Sequence, residues 1–142
     1  MADADLLAGV WLFHRASEES LEKLAAFAFT KSYKPGEIVF EEGHTGNGLY
    51  VITSGKVEVI KGLNTGKEQR VAVLGEGEVF GEMALLDELP RSASVRTLED
   101  TTCLGIDRWL FISQLLKDPQ VAITMIQVLA QRLREADESI VN

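Results

Sequence analysis

The chain has 142 residues, of which 46% are hydrophobic and 25% charged, and a formal net charge of −8. That length and balance suit one globular domain with its own core, and the absence of any apolar run of bilayer-spanning length excludes a transmembrane helix. The acidic balance argues against a broad nucleic-acid surface, and any anionic ligand must be held by local geometry against the overall field. Cys103 is the only cysteine, so neither an internal disulfide nor an all-cysteine metal site can form within one chain, and a reducing, cytoplasmic setting is expected. The N-terminus, MADADLLAGVWLF, carries acids where a secretory signal would carry basic residues.

The first elements read as helices, over 4–29. Ser17 is placed to cap the second of them, with Glu18 and Glu19 in its first turn, where the helix dipole favours acids. Leu21, Leu24, Ala25 and Ala28 repeat at helical spacing, and Tyr33-Lys34-Pro35-Gly36 makes a turn. From 33 to 107 the pattern changes to short strands divided by glycine turns, and every glycine but Gly9 falls in that span. Val57-Glu58-Val59 alternates as a half-buried strand should, and Asn64-Thr65-Gly66-Lys67 reads as a hairpin tip. Ala93 to Leu98 and Thr102 to Ile106 give two further strands. Many short strands at this spacing predict a sandwich or barrel. Helix returns over 108–140, with Asp107 as a cap and Pro119 in the first turn of the last helix. There Ala122, Ile126, Leu129, Leu133, Ala136 and Ile140 step by four and three, which suits either an amphipathic helix on its own barrel or a homodimer seam through 119–140. No linker divides the chain, so 1–142 is expected to be one domain.

The chemistry concentrates in Val79 to Val95, VFGEMALLDELPRSASV. Gly81 lets a ligand approach the main chain, and free N–H groups where a helix begins suit an anion. Arg91 offers a planar, permanently charged donor fork, and the small Ser92 and Ala93 leave their N–H groups accessible. Glu82 is a poor neighbour for a phosphate, but it can accept from a sugar hydroxyl beside one. A carboxylate for hydroxyls and an arginine for phosphate describe a nucleotide pocket; the competing reading is an exposed Glu82–Arg91 pair on an ordinary loop, which is worth little.

Gly81-Glu82-Met83-Ala84-Leu85 followed by Pro90-Arg91-Ser92-Ala93-Ser94-Val95 resembles the phosphate-binding cassette of the cyclic nucleotide-binding domain family, of the catabolite-activator and kinase-regulatory-subunit type. Tyr33-Lys34-Pro35-Gly36-Glu37, Phe40-Glu41-Glu42-Gly43, Tyr50-Val51-Ile52 and Ser54-Gly55-Lys56-Val57 resemble the family's early strands and turns. The likeness runs over roughly residues 10 to 135. It implies a mainly β fold, an eight-stranded jelly-roll β-barrel with helices before and after it. It also implies that Glu82 accepts the ribose 2′-hydroxyl and that Arg91 binds the exocyclic phosphate oxygens. Met83, Ala84 and Ala93 would contribute backbone amides and Ser92 a hydroxyl, with Val71, Val73 and Leu74 as the apolar wall under the base.

Cyclic AMP is the favoured ligand, cyclic GMP the alternative, since Ser92 is compatible with both. No base-capping residue transfers onto Arg134 to Ser139. The stretch to Asn142 contains no helix-turn-helix, second copy or membrane helix, so the expected effector is another, unknown protein chain rather than nucleic acid or membrane. No cofactor, metal or catalysis is expected: His14 and His44 sit in no catalytic motif and Cys103 lies mid-strand. Two rivals stand beside the cyclic AMP sensor: a ligand-free barrel serving as a protein-interaction scaffold, and a sensor selective for cyclic GMP.

Overall fold

The structure is a computed structural model that describes residues 3–141, with side chains described through Glu138. In chain order its elements are α1 (Asp3–Ala8), a 3₁₀ turn (Trp11–Phe13), α2 (Glu18–Phe27), β1 (Phe29–Tyr33), β2 (Ile38–Phe40), β3 (Gly48–Ser54), β4 (Val57–Lys61) and β5 (Gln69–Leu74). Then come β6 (Val79–Phe80), α3 (Glu82–Asp87), β7 (Ser94–Thr97), β8 (Thr101–Asp107), α4 (Arg108–Lys117) and α5 (Pro119–Val141). These residues fall into two compact units, one taking the chain up to Ala26 and from Ile112 onward, the other Phe27–Phe111.

In the helical unit, the Ser17 hydroxyl accepts the Ser20 N–H at 3.1 Å, the cap expected for α2. The Asp118 carboxylate, just before Pro119, accepts both the Ser17 N–H at 3.0 Å and the Ser20 hydroxyl at 3.1 Å. One carboxylate thus joins the starts of α2 and α5, and those hydrogen bonds hold its pKa below the usual value. Val121 and Met125 are buried on α5, as are Leu12 and Phe13 of the 3₁₀ turn that this helix packs against. The Arg132 guanidinium lies 4.3 Å from the centre of the Trp11 ring. The heptad positions face elsewhere. Ile126 and Leu133 are 65% and 64% exposed, Leu129 and Ala136 are exposed, and the side chain of Ile140 lies outside the described residues.

The β unit holds eight strands, as the family likeness implies, but they do not close into a barrel. They form two four-stranded antiparallel sheets, ordered β1-β8-β3-β6 and β2-β7-β4-β5, a jelly-roll-like arrangement. Tyr33, Ile52, Val57, Phe80, Val95 and Cys103 form a buried cluster, with Val39, Phe40, Tyr50, Val59 and Leu74 packed on it. On β4, the buried Glu58 bonds Arg70 of β5 and Arg96 of β7, each at 3.3 Å, and so ties three strands together. The helical reading to residue 29 and the strand start at 33 need correction, because β1 begins at Phe29. β1 is an edge strand with only Tyr33 buried, so it has no burial alternation for a sequence pattern to reveal. Its Phe29 ring occupies the space over Gly105, where an added Cβ would stand 2.1 Å from Cζ.

Candidate functional site: a cavity beside the glycine-glutamate turn

The site begins where β6 ends. Gly81 takes φ 83° and ψ 5°, a left-handed conformation that glycine adopts without penalty. A Cβ there would also lie 2.8 Å from Arg91 Nη1 and 3.1 Å from the Gly48 carbonyl oxygen. The short α3 follows, with Ala84 and Leu85 buried, and closes at Glu88, whose N–H donates to the Ala84 carbonyl at 3.0 Å. Asp87 Oδ1 accepts the Leu89 N–H at 3.0 Å and folds the chain back toward Arg91. The backbone of Arg91 is clasped by the loop after β2: its N–H donates to the His44 carbonyl at 2.9 Å and its carbonyl accepts the Gly43 N–H at 2.8 Å. The Lys61 ammonium donates to the Ser92 carbonyl, and the Ser94 hydroxyl accepts the Glu42 N–H at 2.9 Å.

A cavity of about 370 Å³ results, within the size range of small-molecule sites. Gly81, Glu82, Met83 and Ala84 line one part of it, Arg91, Ser92 and Ala93 another, and Phe40, Val59, Leu74, Phe80 and Val95 supply apolar surface. The seven predicted residues of the cassette are therefore brought to one cavity. Val71 and Val73 are not. They lie on the outward face of β5, 57% and 44% exposed, while Leu74, on the opposite face, reaches the cavity. The register explains this: Val73 stands across from Glu58, and Leu74 across from the buried Val57.

Arg91 is the most constrained side chain of the site, only 6% exposed. Its Nη1 donates to the Gly81 carbonyl and its Nη2 to the Gly48 carbonyl, each at 3.0 Å. Cζ lies 4.1 Å from the centre of the Phe40 ring, while Nε is buried with no hydrogen-bond partner among the described residues. Burial pulls the guanidinium pKa below its ordinary value, and Tyr50 and Glu82 push the other way. Beneath it Phe40, Tyr50 and Phe80 form an aromatic group, the last two stacked at 5.3 Å. Glu82 lines the cavity, and its carboxylate makes no ion pair with Arg91 among the described residues, so the exposed-pair reading does not describe this loop.

Phe40, Val59, Phe80 and Val95 were not read from the sequence as site residues, nor was Arg108. Arg108 opens α4, donates from Nε to the Leu85 carbonyl at 3.2 Å, and pairs with Glu88 at 3.4 Å, so its cation sits at the C-terminal end of α3. The signal available for Arg108 was its place directly after the Asp107 cap, which is confirmed by the Leu110 N–H on Asp107 Oδ1 at 2.8 Å. His44 is exposed beside Glu41, and burial pushes the Cys103 thiol up to about 11. Among the described residues no group of three or more His, Cys, Asp or Glu side chains could hold a metal ion, and no helix is long and apolar enough to cross a membrane.

The cyclic nucleotide-binding domain model matches residues 30–118, which contain this whole cavity. The chain belongs to the cyclic nucleotide-binding domain family. This cyclic nucleotide-binding domain is 40% identical over 126 residues to the cyclic AMP receptor protein of Thermus thermophilus, covering 89% of the chain and 58% of that relative. It is 32% identical over 127 residues to the CRP-like cAMP-activated global transcriptional regulator of Mycobacterium tuberculosis, covering 86% of the chain and 57% of that protein. The domain thus spans less than two thirds of the length of either relative. Among solved structures, the regulatory domain of Toxoplasma gondii PKA with cAMP superposes with a TM-score of 0.75 at 28% identity, covering 79% of this chain and 42% of that one.

Proposed function

We propose that this cyclic nucleotide-binding domain is a sensor for a 3′,5′-cyclic nucleotide, cyclic AMP, and relays its occupancy through the C-terminal helices to a partner chain. One observation carries the reading: a carboxylate at Glu82, an arginine at Arg91 and an apolar floor of Phe40, Val59 and Leu74 share a single cavity. The three parts match the three parts of the ligand. A cyclic phosphate is a monoanion with two exocyclic oxygens, which suits the two-pronged guanidinium fork. Glu82 accepts the ribose 2′-hydroxyl, with the amides of Met83, Ala84 and Ala93 and the hydroxyl of Ser92 on the phosphate. The base lies on the apolar floor, where burial stabilises it without needing a charge.

The names of the Thermus, Mycobacterium and Toxoplasma proteins support cyclic AMP. For the relay, Arg108 supports a path from α3 to the first turn of α4, because it bonds the last turn of α3 from the first residue of the next helix. A ligand shifts that arrangement only by its difference in affinity for two arrangements. Isothermal titration of the chain, unfolded, washed and refolded, with cyclic AMP and then cyclic GMP tests the reading. Saturable binding that Arg91→Ala weakens by about 2–4 kcal/mol is the expected result. Binding of neither nucleotide would leave a protein-interaction scaffold. Tighter binding of cyclic GMP would move the assignment to that nucleotide.

A further inference from the structure

Among the described residues, the charged ones that line the cavity are Glu82, Asp87 and Arg91. Two carboxylates against one guanidinium leave that lining on the negative side, in a chain whose formal net charge is already −8. Such a balance does not favour an anion. Glu82 has a use in the functional reading, as acceptor of a sugar hydroxyl. Asp87 has none. Its position is nevertheless fixed: Oδ1 accepts the Leu89 N–H at 3.0 Å, and Leu89 is itself a lining residue. No ion pair neutralises Asp87 among the described residues. Two nearby cations of the loop and its neighbours are engaged elsewhere, Arg108 with Glu88 at 3.4 Å and Lys61 with the Ser92 carbonyl.

We propose that Asp87 is a specificity-determining residue. Its uncompensated charge admits a nucleotide whose phosphate carries one negative charge and disfavours one whose phosphate carries two. The inference rests on the reading of the cavity as a nucleotide site. A cyclic phosphate is a diester and bears a single charge. A linear 5′-nucleotide is a monoester whose second ionisation falls near pH 6, so it bears about two charges at neutral pH. Arg91 offers the same positive charge to both. The base and the 2′-hydroxyl are common to both, so the apolar floor and Glu82 do not tell them apart. Coulomb energy is linear in the charge of the ligand, so whatever Asp87 costs the cyclic nucleotide it costs the linear one twice over. Asp87 is exposed, and screening by solvent and salt holds the effect to a few-fold for each ligand charge.

Asp87→Asn keeps an oxygen for the Leu89 N–H and removes the charge alone. The full chain and this variant are titrated with cyclic AMP at low salt and about pH 7.5, where 5′-AMP is a dianion. Displacement of cyclic AMP then measures 5′-AMP and adenosine 5′-(methyl phosphate). The ester is linear like 5′-AMP but singly charged like the cyclic nucleotide. In the unsubstituted chain the ester displaces cyclic AMP at lower concentration than 5′-AMP does. The substitution tightens cyclic AMP and the ester about 3-fold each and 5′-AMP about 10-fold, and added salt shrinks all three gains. With cyclic AMP still bound, equal gains for the ester and 5′-AMP, or a gain for neither, overturn the proposal and leave the functional reading standing. Should Asp87→Asn not fold, the order of ester and 5′-AMP on the unsubstituted chain decides, and the reverse order overturns the proposal. If the unsubstituted chain binds neither cyclic AMP nor cyclic GMP, the functional reading fails and the proposal falls with it.

Discussion

Two neighbouring residues of β5 do opposite things, and they separate a floor from a surface. Leu74 reaches the cavity while Val73 faces outward beside Glu58. Leu74→Ala should weaken nucleotide binding by about 1–2 kcal/mol through lost apolar contact. Val73→Thr should leave it within about twofold, as surface substitutions usually do. Parallel titrations of the two variants check this, and equal losses would mean that the base does not lie on Leu74. The distinction was within reach of the sequence. Val57-Glu58-Val59 alternates between the two faces of the sheet, and carrying that alternation across the hairpin puts Val73 on the face that Glu58 takes, opposite the core cluster. Pairing register was the missing piece, and a bulge between Val59 and Ile60 shifts it within the same hairpin. Gly81, Glu82 and Arg91 needed no register, because they act through one local loop whose residue types and spacing are explicit. The inward turn of the Arg91 fork was not legible. It depends on Gly46 and Gly48, more than forty residues away in sequence and adjacent only once β3 has paired.

Among the elements, the helix starts were the most readable, since a cap is a local device: Ser17 and Asp107 each accept the expected N–H. Edge strand β1 was the least, because exposure erases the pattern that marks a strand. Asp118 shows how a cap becomes a tertiary contact, joining the starts of α2 and α5 through Ser17 and Ser20. Asp118→Ala should lower stability by about 1–2 kcal/mol in thermal or urea unfolding. The pH dependence has a definite sign. The pKa of Asp118 is lower folded than unfolded, so its contribution is fully present above the unfolded value. It is lost as pH falls through the folded value. The stability gap between the unsubstituted chain and Asp118→Asn should therefore narrow below about pH 4. A gap constant down to pH 2 would show that the carboxylate charge contributes nothing.

For the whole molecule, the predicted seam on α5 matters most. Its buried positions are Val121, Thr124 and Met125, whereas Ile123, Ile126, Leu129 and Leu133 are exposed. A stripe of exposed aliphatic side chains on a long helix is the surface that a second copy could cover by knobs-into-holes packing. The expected state in sedimentation is a dimer at micromolar concentration, and Ile126→Glu with Leu133→Glu should return it to monomer. A monomer from the outset would leave this face to a different partner. Self-association measured with and without cyclic AMP would also show whether the sensor and the seam are linked, because linkage requires each to change the affinity of the other by the same factor.

Four of the acceptors around Arg91 and the start of α4 are peptide oxygens. Gly81 and Gly48 receive the guanidinium, Leu85 receives Arg108, and the Asn47 carbonyl receives the Arg108 N–H at 2.6 Å. Alanine scanning deletes side chains, so it cannot delete these partners, and at Gly48 and Gly81 it adds bulk instead. A library of side-chain truncations would score the segment from Gly46 to Gly48 as either inert or unfoldable. It would miss that two consecutive peptide groups there hold the Arg91 side chain and the first turn of a helix. Main-chain chemistry, such as weakening one carbonyl as an acceptor by an ester at the following residue, is the form of perturbation to which this part of the molecule can respond.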